Sequence, residues 1–295
     1  MFKLGVLLSG GLGFSVLQNL YTKGDVEISC VFTDKKSSDI ITYCNERFIP
    51  VFIGNPRNEE SIKFLNAIGT LDLLFSINYL FIINKDIISY PRLFALNIHG
   101  SLLPKYRGRT PHVWAIINGE KETGITIHKI DEGVDTGDIL LQESIEINNN
   151  DTGASILDKY NEIYPIVIEK ALSIVVSGDY SFRKQDKLKA TYFGKRTPKD
   201  GLINWSWFKE RIRNWVRAQA YPYPGAYTIY NDKKIIINKV VYSDFGYTYD
   251  IIDGTILSID PLIVKTPNGA LEIVEYEVEG DDDVFLIVKG DVFNQ

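Results

Sequence analysis

Apolar residues in this chain fall into short continuous runs separated by stretches with helical spacing. Leu4 to Leu8 is one such run. Beyond Ser9-Gly10-Gly11-Leu12-Gly13, residues Phe14, Val16, Leu17, Leu20 and Tyr21 recur on one helical face. This predicts a strand, a glycine turn and a helix. Val26 to Phe32, Pro50 to Ile53, Leu71 to Ile77 and Ala95 to His99 read as further strands, with a helix over 37–47. Residues 124–130 and 139–147 follow as strands. From Asp151-Thr152, which can cap a helix, Ile156, Tyr160, Ile163, Tyr164, Val167, Ala171 and Leu172 share one side to about 176. Pro165 lies inside that pattern, where a kink or a break is expected. Strands alternating with helices predict an α/β fold, a mostly parallel sheet with helices on both faces.

The pattern changes over 181–202, which is polar, basic and without periodicity. A helix is predicted over 206–219. Tyr221-Pro222-Tyr223-Pro224-Gly225 then interrupts any regular element. Short β-rich runs follow at 226–230, 234–242, 254–258, 261–265, 270–276 and 284–289, separated by turn residues. Close spacing of short strands predicts a small β-barrel. The expected division is a domain over 1–185, a linker over 186–203 and a C-terminal domain of one helix and a barrel over 204–295.

Composition excludes some classes. With 295 residues, 45% hydrophobic and 24% charged, the chain is that of a folded globular protein. Two cysteines cannot form a disulfide scaffold, and Cys30 sits in an apolar run. No stretch is long and apolar enough for a membrane span, and residues 1–8 read as a strand running into glycines and not as a signal peptide with a small-residue cleavage site. A cytoplasmic protein without a membrane partner is expected. The net charge of −6 is unevenly spread: residues 241–295 hold Lys265 and Lys289 against twelve acids, net −10. Such a segment repels a polyanion.

The chain has three histidines, His99, His112 and His128, and their spacing matches no zinc signature, so no metal is expected. There is no P-loop. Val16 stands where the dinucleotide fingerprint needs a third glycine. Asn97 and His99 are two apart on a strand that Gly100 ends, so both side chains share one face at its carboxyl end, where ligands bind in open α/β sheets. A hydrogen-bonded structural pair is the alternative for these two alone. Asp131-Glu132-Gly133-Val134-Asp135-Thr136-Gly137-Asp138 directly follows a strand. It reads as a turn, and it can also deliver a carboxylate beside His99.

Asn97-x-His99-x-Ser-Leu-Leu-Pro-x-Tyr-Arg-Gly108, followed 36 residues after the histidine by Asp135-Thr-Gly-Asp138, resembles the formyltransferases that use 10-formyltetrahydrofolate. Arg196-x-Pro-x-Asp-Gly201 and Tyr223-Pro-Gly-Ala226 resemble the start of that family's C-terminal domain. The resemblance implies a Rossmann-like catalytic domain and an OB-like barrel. It implies that His99 is the general acid/base, that Asn97 stabilises the oxyanion and that Asp135 raises the pKa of His99. It further implies that Phe81, Ile82, Ile83, Arg109, Asp131, Glu132, Gly133 and Val134 hold the folate co-substrate, without a metal.

The acceptor amine is a separate question. The tRNA enzymes of this family carry a long basic loop after the second strand and a basic barrel. Here residues 32–39 are short and nearly neutral, and the barrel segment is acidic. Residues 106–114 also look more like the sugar enzymes. A nucleotide-linked amino sugar is therefore the expected acceptor, first a dTDP-4-amino-4,6-dideoxyglucose for O-antigen or other surface polysaccharide. Ser9, Gly10, Tyr79, Lys105 and Arg107 are its candidate contacts. No nucleic-acid partner is expected, and a homodimer is. Methionyl-tRNA formyltransferase is the alternative. A non-catalytic folate-binding module is another, and it would not need His99 and Asp135 together.

Overall fold

The computed structural model describes residues 1–24, 26–280 and 286–293. The chain forms two compact units that are each discontinuous in sequence: 1–108, 124–145 and 159–192 make the first, and 109–123, 146–158 and 193–295 the second.

The first unit is built on strands β1 (Lys3–Leu8), β2 (Glu27–Thr33), β3 (Val51–Ile53), β4 (Leu73–Ile77) and β5 (Phe94–His99). A short β6 (Arg107–Gly108) follows, then β7 (Glu122–Lys129) and β8 (Ile139–Glu146). Seven of them form one sheet in the order β3-β2-β1-β4-β5-β7-β8. β1 to β5 are parallel and β7 runs antiparallel to β5. The predicted mostly parallel sheet is present. Helices α1 (Gly10–Lys23), α2 (Ser38–Glu46), α3 (Glu59–Ile68) and α4 (Lys85–Ile88) connect its strands. The central strands are buried on both faces, which is why β4 reads as one apolar run. Leu7, Cys30, Phe32, Leu65, Leu71, Leu74, Ile87 and Ala95 pack into one core. Helix α1 starts immediately at Gly10, so the expected glycine turn is its first turn; Gly24, in the left-handed region at φ 67°, ends it by donating its N–H to Leu20 O.

In the second unit, α5 (Pro111–Ile117) precedes α6 (Gly153–Ser177), a helix shared between the units. Thr152 Oγ1 accepts from the Ser155 N–H at 3.1 Å and Ser155 Oγ accepts from the Thr152 N–H at 3.0 Å, a reciprocal cap for α6. Pro165 lies inside α6 without ending it. A short β9 (Tyr192–Phe193) pairs with β6. After α7 (Lys209–Ala218) come β10 (Ala226–Tyr230), β11 (Lys233–Ser243), β12 (Ile256–Ile259), β13 (Leu262–Thr266) and β14 (Gly269–Val278). The small barrel predicted here is an antiparallel sheet in the order β10-β11-β14-β13-β12. Alternate residues of β10 are buried, as a sheet with one apolar face requires. Trp205 fills that interior, stacked on Phe293 and donating to Thr228 Oγ1 at 3.0 Å. The strand expected over 284–289 lies partly outside the described residues, and 286–289 is not a strand. No helix among the described residues is long and apolar enough to cross a membrane.

Candidate functional site

The site is assembled at the end of β5. Asn97 and His99 stand on that strand, and the antiparallel β7 brings His128 directly opposite Asn97. Asp135 comes from the loop after β7, with its backbone in the left-handed region at φ 54°. An Asp there is strained unless its surroundings hold it. They do: the Gly108 N–H donates to Asp135 Oδ2 at 2.9 Å. Gln185 Nε2 donates to the backbone oxygens of Asp135 at 2.9 Å and Gly137 at 2.7 Å. Gly137 has to be glycine for a different reason: a Cβ there would lie 1.9 Å from the Lys129 carbonyl oxygen.

Asp135 therefore sits between two imidazoles. Its Oδ2 is 3.6 Å from His99 Nδ1 and its Oδ1 is 3.6 Å from His128 Nε2. His99 Nε2 lies 2.8 Å from the Tyr106 carbonyl oxygen. A carbonyl only accepts, so that nitrogen carries the proton of the neutral ring and Nδ1 is the basic one. Burial alone raises the Asp135 carboxyl, yet His128, His99 and the Gly108 N–H together hold it down to about 2. Burial is the largest influence on His99 and lowers its pKa below the ordinary value. Asp135 and the Tyr106 carbonyl push it back up, and the net direction remains downward. The upward push that the sequence led us to expect is present and is outweighed by desolvation.

Beside these groups lies a cleft of about 630 Å³. Tyr79, Phe81, Ile82, Ile83 and Ile88 form an apolar wall, and Asn97, His128 and the loop Asp131 to Asp135 are among the other lining residues. Ile82 and Val134 are more than half exposed. His99 is not among the lining residues; its Nδ1 is 3.6 Å from Asp135 Oδ2, and Asp135 is one of them. The cleft is lined by Phe81, Ile82, Ile83, Asp131, Glu132, Gly133 and Val134, seven of the eight residues for which the resemblance implies a folate contact; Arg109 is not among its lining.

The other candidates are placed differently. Tyr79 lines this same cleft, and its hydroxyl donates to Gly54 O at 3.3 Å. Ser9 is buried, its carbonyl accepting from Asn78 Nδ2 at 3.1 Å, and the Gly10 N–H donates to Ser37 Oγ at 2.9 Å. Lys105 is exposed. Arg107 is buried, its guanidinium donating to Gln185 Oε1 and the Tyr192 hydroxyl. Through Gln185 it braces the Asp135 loop. Arg109 belongs to the second unit.

Sequence reasoning missed His128, Gln185 and the Tyr106 carbonyl. His128 alone had a usable signal: it stands three residues before Asp131 on the strand that delivers the acidic loop. Gln185 lies in the polar stretch 181–202 that shows no periodicity, 50 residues from Asp135, and nothing local marks it.

A model of the formyl transferase family matches residues 9–172, and one of the formyl transferase C-terminal domain matches residues 195–284. The chain is 40% identical over 228 residues to the bifunctional polymyxin resistance protein ArnA of Wigglesworthia glossinidia brevipalpis, covering 77% of this chain and 34% of that one. It thus spans about a third of that relative's length. Among solved structures, an N-formyltransferase from Helicobacter canadensis, in complex with folinic acid and dTDP-3-aminofucose, superposes with a TM-score of 0.73 at 22% identity, over 94% of this chain and 100% of that one. Methionyl-tRNA formyltransferase from Clostridium thermocellum superposes at 0.59 and 18% identity, over 93% and 100%. These two likenesses establish the fold, while the matched models, with the Asn97, His99 and Asp135 geometry inside the first of them, place the chain in the formyl transferase family.

Proposed function

We propose that this protein transfers the formyl group of 10-formyltetrahydrofolate to the amine of a nucleotide-linked amino sugar. The observation that carries the reading is Asp135 set 3.6 Å from both His99 and His128 and lining a cleft that has an apolar wall. The folate fits that cleft in kind: a flat ring system asks for an apolar wall such as Phe81, Ile82 and Ile83 and for polar groups at its edge.

The chain's own residues then act as follows. The Asn97 amide donates a hydrogen bond to the formyl oxygen as negative charge develops on it. One such donor is worth about 2.7–4 kcal/mol when it is pre-placed. The amine forms a bond to the formyl carbon and gives up a proton, which His99 holds at Nδ1. Asp135, 3.6 Å from that nitrogen, favours its charged form. His99 returns the proton to the folate nitrogen as its bond to the formyl carbon breaks. An N-formyl amide and tetrahydrofolate result, with atoms and charge balanced.

An amino sugar is favoured over tRNA because residues 241–295 carry a net charge of −10, which opposes phosphate-rich RNA. dTDP-4-amino-4,6-dideoxyglucose is the first acceptor to try, its product destined for O-antigen or another surface polysaccharide, and a cytoplasmic homodimer is the expected form. The test is a competition: 10-formyltetrahydrofolate with dTDP-, UDP- and GDP-linked 3- and 4-amino sugars, and with charged initiator tRNA. Formylation of a sugar nucleotide supports the reading. Formylation of the tRNA alone overturns it in favour of methionyl-tRNA formyl transfer.

A further inference from the structure

We propose that His128 is a positioning residue: it pins the Asn97 side-chain amide so that an N–H, and not the amide oxygen, meets the formyl oxygen. The inference rests on the formyl-transfer reading of the site.

His128 is buried at 3% exposure and directly opposes Asn97 across the antiparallel β5–β7 pair. Its Nδ1 lies 2.7 Å from its neighbour's carbonyl oxygen, that of Lys129. Only a donor can sit there, so Nδ1 carries the ring proton and the Nε2 of the neutral ring is an acceptor. That Nε2 is 3.2 Å from Asn97 Nδ2. With the neutral ring, Asn97 donates one of its two N–H groups to His128 and its second N–H remains for another acceptor; Asp135 Oδ1, 3.6 Å from the same Nε2, lies beyond hydrogen-bond reach of it.

An amide has nearly the same shape after a half-turn, so packing alone discriminates poorly between its two orientations. The difference here is chemical. With the oxygen turned towards His128, two lone pairs face each other, and the reacting oxygen loses its donor. The Lys129 carbonyl thus sets the His128 tautomer, and the tautomer sets the amide.

The experiment compares His128→Gln, which keeps an acceptor at similar reach, with His128→Leu, which removes it, each in the full chain and again in an Asn97→Ala background. Rates are read on whichever amine the wild type formylates. Failure of the sugar-nucleotide reading therefore changes only the acceptor used, and the ratios between variants still test His128. The Leu variant is expected to lose roughly 10- to 100-fold in kcat, with KM for 10-formyltetrahydrofolate within about 3-fold, since part of an oxyanion donor's effect is removed. Gln should restore kcat to within about 5-fold of wild type. In the Asn97→Ala background, the loss caused by Leu should shrink by at least about 5-fold, because the amide it acts through is gone and only its 3.6 Å approach to Asp135 remains. If Leu does not fold, His128→Met replaces it. The proposal is overturned if the apolar variant keeps near-wild-type kcat, if Gln falls as far as Leu, or if the loss is equally large without Asn97.

Discussion

Replacing Asp135 by Asn tests the electrostatic account of the site most directly. The carboxyl falls from an ordinary 3.8 to about 2 in the folded protein. At about 1.4 kcal/mol per pH unit, that drop is worth about 2 kcal/mol of stability at neutral pH. The sign follows from the direction. A depressed carboxyl stabilises above its unfolded pKa, and the contribution is lost as pH falls through the folded one. The loss should begin near pH 5, and about half of it should be gone by pH 3. Asn cannot titrate, so the stability gap between wild type and Asp135→Asn should narrow by about 1 kcal/mol between pH 7 and pH 3. Urea unfolding at both pH values measures this. Far-UV ellipticity is the right signal, because all four tryptophans (114, 205, 207 and 215) belong to the second unit and Asp135 to the first. A gap that stays constant, or that widens in acid, would refute the claim that the two imidazoles and the Gly108 N–H hold the carboxylate charged.

Four further outcomes are expected. His99→Ala should lower kcat by roughly a hundred- to ten-thousand-fold while folate binding, followed by fluorescence or calorimetry, remains measurable; near-normal turnover would remove His99 from the chemistry. In the wild type, the acid limb of kcat/KM should lie below pH 6.5, because burial lowers His99, and Asp135→Asn, which removes an upward push, should move it lower still. Gly137→Ala drives a methyl into the Lys129 carbonyl. It should destabilise by about 1–3 kcal/mol and depress kcat through displacement of Asp135, measured by thermal melting and steady-state rates. Gln185→Leu leaves buried carbonyl partners and Arg107 without their amide, which should cost about 1–3 kcal/mol and reduce kcat more than KM; an unchanged kcat would show that the Asp135 loop does not depend on this brace.

Most of the architecture was legible because its cause is local. Strands such as Leu73–Ile77 are apolar on both faces, and α6 announces itself by its cap and its repeat. Pro165 was read as a point of interruption. One missing N–H did not break a helix of 25 residues whose face is already buried. Helix α5, built on Pro111 and mostly apolar residues, escaped because seven residues give too little periodicity.

By itself the sequence placed the candidate groups. Asn97 and His99 share a strand, and the acidic loop follows the next long strand; formyl transfer is what the resemblance of the surrounding motifs to the formyltransferases implies. Only the tertiary structure decided how these groups are tuned. The antiparallel pairing of β7 with β5 places His128 against Asn97, and Gln185 reaches Asp135 from 50 residues away. Burial, which no spacing reveals, sets His99 lower than its carboxylate partner alone would. Hydrogen-bond direction and desolvation depend on what surrounds a side chain in three dimensions, and that is fixed by packing between segments far apart in the chain.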